Sequence, residues 1–144
     1  MYLVDTDVAS AGAPDRVAAP AALVQWMDEN SGRLFLSAIS VAEIEDGIAK
    51  LAREGSARRA AALVQWFETL LHLYESRILP FDVHAARIAG KLSDRARGKG
   101  HAPGFPDLAI AATASAHGLI VLTRNLRHFA PLEVRAHDPF ASLP

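Results

Sequence analysis

Three carboxylates and one amide occupy positions from which they could act on a phosphate ester. Asp5 directly follows the apolar run Tyr2-Leu3-Val4, and Glu43 stands early in the helical segment after Leu34-Phe35-Leu36. Asp107 opens the Ala-rich segment Asp107–His117, and Asn125 follows Leu119-Ile120-Val121-Leu122. Carboxylates gathered on one rim repel one another, so such a cluster persists only when protons or a divalent cation neutralise it. The chain has no cysteine, and its 6 histidines (His72, His84, His101, His117, His128 and His137) are scattered without an i, i+4 pair. Oxygen donors alone point to Mg2+ or Mn2+ rather than zinc. Such a cation can activate water, polarise a phosphoryl group and stabilise the leaving oxygen of a phosphodiester. A Ser-His-Asp site finds no support in this pattern, and a cysteine nucleophile is excluded.

Each of these residues also has a local reading. Asp5 could cap the turn after its strand, although an acid directly behind an apolar strand is costly unless it is used. Glu43 ends Ser40-Val41-Ala42-Glu43, which matches a capping box, so capping and metal ligation both stay open. Asp107 in a first helical turn complements the helix dipole. Asn125 after a strand suits a turn, and Asp7 suits a local cap or a supporting group.

These side chains meet only if the surrounding elements bring them together. The expected order is a strand at Tyr2–Val4, a short helix at Thr6–Ala11, a helix from Pro20 to Asn30, and a strand at Leu34–Leu36. A helix from Ser40 to Glu54 follows, then a long one from Ser56 to Ser76, an extended piece at Arg77–Phe81, and a helix capped by Asp82 that runs to Arg97. The helix Asp107–His117, the strand Leu119–Leu122, a helical turn at Leu126–Phe129 and a last strand at Glu133–Ala136 complete the chain. Short apolar strands alternating with helices predict an α/β fold with a mostly parallel central sheet flanked by helices. The 144 residues fit a single domain, 1–144. Ligands of such a sheet bind at the carboxyl ends of the strands, where Asp5, Glu43 and Asn125 are expected.

The 15 basic and 16 acidic residues leave a net charge of −1, which excludes the global positive field of a DNA-coating protein. Contact with nucleic acid must therefore be local. Lys91, Arg95, Arg97, Lys99 and His101 gather just before Asp107, and Arg124 adjoins Asn125. Both groups are candidate phosphate contacts, although cations are also favoured near a helix C-terminus. The N-terminus has no basic leader, and no uncharged apolar run reaches about 18 residues, so a cytoplasmic protein without a membrane span is expected. The stripe Leu63, Val64, Trp66, Phe67, Leu70, Leu71, Leu73 and Tyr74 is wider than one core-facing surface needs.

Taken as an ordered set, these pieces resemble the PIN domain, and most closely the VapC-type toxins of bacterial toxin–antitoxin pairs. The matching pieces are Leu3-Val4-Asp5-Thr6-Asp7, Ser37 to Ile44 with Gly47-Ile48, and Arg77-Ile78-Leu79-Pro80-Phe81-Asp82. Asp107 to Ala114 with His117-Gly118, and Thr123-Arg124-Asn125 to Phe129, complete the set over residues 2–138. The resemblance implies a metal-dependent ribonuclease in which Asp5 and Asp107 hold Mg2+ (or Mn2+) and Glu43 completes the site directly or through water. Hydrolysis would be in-line, by water that the metal activates. The family often has Asp where this chain has Asn125, and usually Asn where it has Asp7. The resemblance also implies a homodimer, a cognate antitoxin that blocks the site, an RNA substrate, and DNA contact only through the antitoxin. Two other readings share part of the pattern. Asn125 would suit a PIN-like RNA-binding module with impaired catalysis. Asp5-Thr6-Asp7 resembles the opening of a haloacid dehalogenase-type phosphatase, but Leu122-Thr123-Arg124-Asn125 lacks the later acidic pair such an enzyme needs.

Overall fold

A computed structural model describes residues 1–144. Five short apolar runs form strands: β1 (Tyr2–Val4), β2 (Leu34–Ser37), β3 (Ile78–Leu79), β4 (Ile120–Leu122) and β5 (Ala136–His137). All neighbours pair in parallel, in the order β3-β2-β1-β4-β5. The helices are α1 (Thr6–Ala9), α2 (Ala21–Glu29), α3 (Ala38–Arg53), α4 (Ala57–Tyr74), α5 (Val83–Gly98), α6 (Phe105–Ala116) and α7 (Leu126–Phe129). The expected α/β architecture is the observed one.

Successive strand residues point to opposite faces, and both faces are covered. Leu3 and Val121 pack with Ile110, Ala112 and Phe129 on one side. Val4 and Leu122 pack with Leu36, Val8 and Tyr74 on the other. Helix α6 is buried continuously from Leu108 to Ala114, which its small alanines permit, and it packs along α5 through the buried Ala85, Ala89 and Ala96. Asp82 caps α5 as expected, accepting from the Ala85 N–H at 2.9 Å.

Three boundaries differ from expectation. Helix α3 begins at Ala38, and its cap is Ser37, whose hydroxyl accepts from the Ile39 N–H at 3.1 Å. Ser40 is therefore an interior, fully buried helical residue, and the capping-box reading of Glu43 is lost. Helix α6 begins at Phe105, so Asp107 lies within its first turn rather than at its start. The last strand is Ala136–His137, because Glu133 ends a 3-10 turn in the left-handed region at φ 54°.

The chain moves outward from β1 through β2 to β3, then crosses back to place β4 on the other side of β1. The carboxyl ends of β1 and β4 therefore flank the point where the strand order reverses, which is where open α/β sheets bind ligands.

Candidate active site

Asp5 stands where the chain leaves β1, at that reversal. Its N–H donates to the Leu122 carbonyl of β4 at 2.9 Å, which stitches the two strand ends together. One carboxylate oxygen caps α1 by accepting from the Thr6 N–H at 2.7 Å, and the other accepts from the Thr123 hydroxyl at 2.7 Å. The side chain caps and is also buried, with only 5% of the residue exposed. Burial pushes its pKa up from 3.8 to about 6; the Thr123 bond opposes this, Asp7 adds to it, the Thr6 N–H opposes it and Asp107 adds to it. An ionised Asp5 thus costs the fold on the order of 3 kcal/mol.

Thr6 links Asp5 to a second acid. Its hydroxyl donates to Glu43 Oε2 at 2.5 Å, across 37 positions of sequence. Glu43 projects from α3 towards the first turn after β1, so its partner is tertiary. Asp107 reaches the same region from α6, close enough to influence the protonation of Asp5. Its Oδ2 lies 3.2 Å from Nδ1 of His128 on α7. Sequence spacing does not mark His128, because scattered histidines carry no such signal. It reaches Asp107 only because α7 folds back beside α6.

Asn125 does not face Asp5 with its amide nitrogen. Its Nδ2 donates to Asp7 Oδ2 at 3.0 Å, and the Arg124 N–H donates to the same oxygen at 3.1 Å. Asp7 therefore fastens the loop after β4, and burial raises its pKa. Its other oxygen is buried without a partner. One Asp7 oxygen is thus spent on the loop after β4. Thr123 ties the loop to Asp5 by accepting from the Asn125 N–H at 3.0 Å while donating to the Asp5 carboxylate.

A PIN domain family model matches residues 2–132. The chain belongs to the PIN domain family. It is 37% identical over 133 residues to the VapC ribonuclease Y4jK of Sinorhizobium fredii, with 90% of each chain covered. It is 34% identical over 142 residues to Toxin FitB of Neisseria gonorrhoeae, covering 97% of this chain and 99% of FitB. The crystal structure of FitAcB from the same organism matches with a TM-score of 0.85 at 34% identity, covering 99% of this chain and 100% of the other. The DNA-bound VapBC of Salmonella typhimurium matches with a TM-score of 0.75 at 29% identity, covering 95% and 96%.

The acids of this PIN domain suit a divalent cation held partly by water. No three His, Asp or Glu side chains stand close enough to form a ready-made metal cage. Mg2+, however, commonly takes one or two carboxylates and keeps several waters. The donors at the rim are carboxylate and hydroxyl oxygens, and a buried carboxylate with a raised pKa is the group a cation would relieve.

The expected basic guides are placed differently. Arg95 and Lys99 are both ion-paired to Glu133, Arg95 at 3.4 Å. Glu133 precedes β5, and Arg135, two residues on, donates to the Gly118 carbonyl just ahead of β4. That pair therefore lies towards the amino ends of the strands, away from Asp5. Arg97 is exposed on the last turn of α5. The Arg124 guanidinium stacks 4.6 Å from the centre of the Phe140 ring. The Arg124 charge acts on Asp7, and Arg16 lines a cavity of about 240 Å³ with Asp15, Thr6, Glu43 and Gly47. No sequence pattern marks Arg16, because its loop only meets α3 in three dimensions.

The stripe on α4 is partly covered within the chain: Leu63, Phe67 and Tyr74 are buried. Trp66, Leu70 and Leu73 instead line a cavity of about 640 Å³ with Val24 and Met27 of α2. Leu73 remains 62% exposed. No helix is long and apolar enough to cross a membrane.

Proposed function

We propose that this PIN domain is a VapC-type toxin, a ribonuclease that depends on a divalent cation. The observation that carries this reading is the Asp5 carboxylate, buried and raised in pKa beside Asp107 at the reversal of strand order. The names of its relatives, VapC ribonuclease and Toxin FitB, support the substrate class and the toxin role.

Asp5 and Asp107 would hold Mg2+ or Mn2+, with Glu43 completing the site through Thr6 or water. A bound ion would neutralise charge developing on the phosphoryl oxygens and lower the pKa of the attacking water. Glu43 keeps Oε2 on the Thr6 hydroxyl, which leaves Oε1 to orient that water and accept its proton. Water attacks phosphorus in line, the opposite P–O bond breaks, and the departing oxygen takes a proton from solvent. Thr123 fixes the Asp5 carboxylate, and Asn125 serves through its tie to Asp7. Arg16, beside Glu43, is the phosphate contact we favour, with Arg124 a second candidate.

The apolar groove between α2 and α4 supports a protein partner, which we assign as the cognate antitoxin. The solved FitAcB and DNA-bound VapBC relatives support such an assembly, and we assign DNA contact to the antitoxin. A homodimer and a cytoplasmic location belong to the same proposal.

The test is cleavage of RNA by the purified chain, with and without EDTA. Divalent-dependent cleavage that stops when the antitoxin is co-purified supports the reading. RNA binding without cleavage at any divalent concentration replaces it with the binding-module reading.

A further inference from the structure

We infer that His128 is a direct ligand of the same cation, paired with Asp107, and that this makes the centre prefer Mn2+ to Mg2+. The inference rests on the metal-dependent reading above and extends it to a nitrogen donor. His128 Nδ1 and Asp107 Oδ2 are 3.2 Å apart. Neighbouring donors on an octahedral ion, each about 2.1 Å from it, are separated by about 3 Å. The two atoms thus already stand at the spacing of adjacent ligands.

The fold holds this pair in place while leaving it reachable. Phe129 is fully buried, and the His128 N–H donates to the Asn125 carbonyl at 2.8 Å, which together anchor α7 under the ring. The His128 and Asp107 side chains remain 43% and 29% exposed, so an ion and a phosphate can approach them. No lysine or arginine pairs with Asp107; its one ion-pair partner is His128. The segment from Thr123 to His128 therefore touches both acids, with the Thr123 hydroxyl on Asp5 at its start and the imidazole on Asp107 at its end. Asp5, the other acid assigned to the ion, is buried.

Oxygen-only sets suit Mg2+ and Mn2+ alike, and of these two the transition ion is the one that better accepts an imidazole nitrogen. A carboxylate–imidazole pair shifts the preference towards Mn2+ among the ions that also accept carboxylates and water. The expectation from the resemblance, an oxygen-only site, is then modified at one position.

The experiment uses the purified full chain with MnCl2 and MgCl2 separately. Pulsed electron paramagnetic resonance of bound Mn2+ reads directly bonded nitrogen, and calorimetry reads the affinity for each ion. The wild type should show a nitrogen coupling that His128→Ala and His128→Asn both lose. Mn2+ affinity should fall about ten-fold or more in those variants, while Mg2+ affinity falls much less. Absence of the nitrogen coupling from the wild type overturns the inference. An equal loss of affinity for both ions does so too, since it would show that His128 merely positions Asp107. If Mn2+ binds without nitrogen coupling but depends on Asp107, only the His128 assignment fails. If no ion binds, the metal-dependent reading fails with it.

Discussion

Charged groups at the two ends of the sheet are treated in opposite ways. At the amino ends, Glu133 is exposed and meets Lys99 and Arg95, and its pKa is lowered, first by the Lys99 hydrogen bond and charge. At the carboxyl ends, Asp5 is buried beside Asp7 and Asp107, and its pKa is raised to about 6, chiefly by desolvation. One region neutralises its charge internally and asks for nothing more. The other holds the Asp5 carboxylate in a buried, hydrogen-bonded frame with no lysine or arginine paired to it, the kind of arrangement in which functional sites are found. The contrast separates two groups that look alike in sequence. In the basic cluster before Asp107, Arg95 and Lys99 pair with Glu133, while Lys91, Arg97 and His101 do not.

The largest effect expected from this contrast is on catalysis. Asp107→Asn should lower RNA cleavage by about a thousand-fold or more, since the lost cation stabilisation is several kcal/mol. Circular dichroism and gel filtration should stay unchanged, because Asp107 is partly exposed and supports no core contact.

Next is stability without metal. A carboxyl whose pKa is raised by folding favours the folded state below the unfolded value of 3.8 and loses that contribution as pH rises through about 6. In EDTA, Asp5→Asn should therefore be more stable than the wild type at pH 7.5, by up to about 3 kcal/mol. The difference should fade as pH drops from 6 to below 4, as read by denaturant melts across that range. Equal stabilities at pH 7.5 would remove the claim that Asp5 is held at a cost. For Glu133, whose pKa folding lowers, the sign reverses: its contribution is present at neutral pH and is lost on acidification.

Smaller effects should separate the basic residues. Arg16→Ala should weaken RNA binding and lower the salt slope of log affinity by about one. Arg95→Ala with Lys99→Ala should leave that slope unchanged, and Glu133→Gln should change melting only slightly, more so at low salt. Filter binding over a range of salt concentrations reads both. A slope that falls for the Arg95/Lys99 pair and not for Arg16 would reverse the assignment.

The α/β alternation and the acids at strand ends were legible in the sequence because burial period and strand-end position are local properties. The rest depended on contacts far apart in the chain. Ser37 and Ser40 both precede Glu43 at plausible capping positions, and only the end of β2 decides for Ser37. Glu43 then acquires a tertiary partner, Thr6, that no spacing rule contains. His128 lay outside every pattern because α7 is a single turn whose direction is set by the buried Phe129. Glu133-Val134-Arg135-Ala136 alternates like a strand, but its first residue is spent on ending a turn, so the last strand begins only at Ala136.

The most direct test of the central claim follows RNA cleavage by the purified wild type and by Asp5→Asn, each with Mg2+ or Mn2+ and with EDTA. The account predicts cleavage by the wild type only when the divalent ion is present, and none by Asp5→Asn, which remains folded. Cleavage at the wild-type rate by Asp5→Asn, or by the wild type in EDTA, would contradict it.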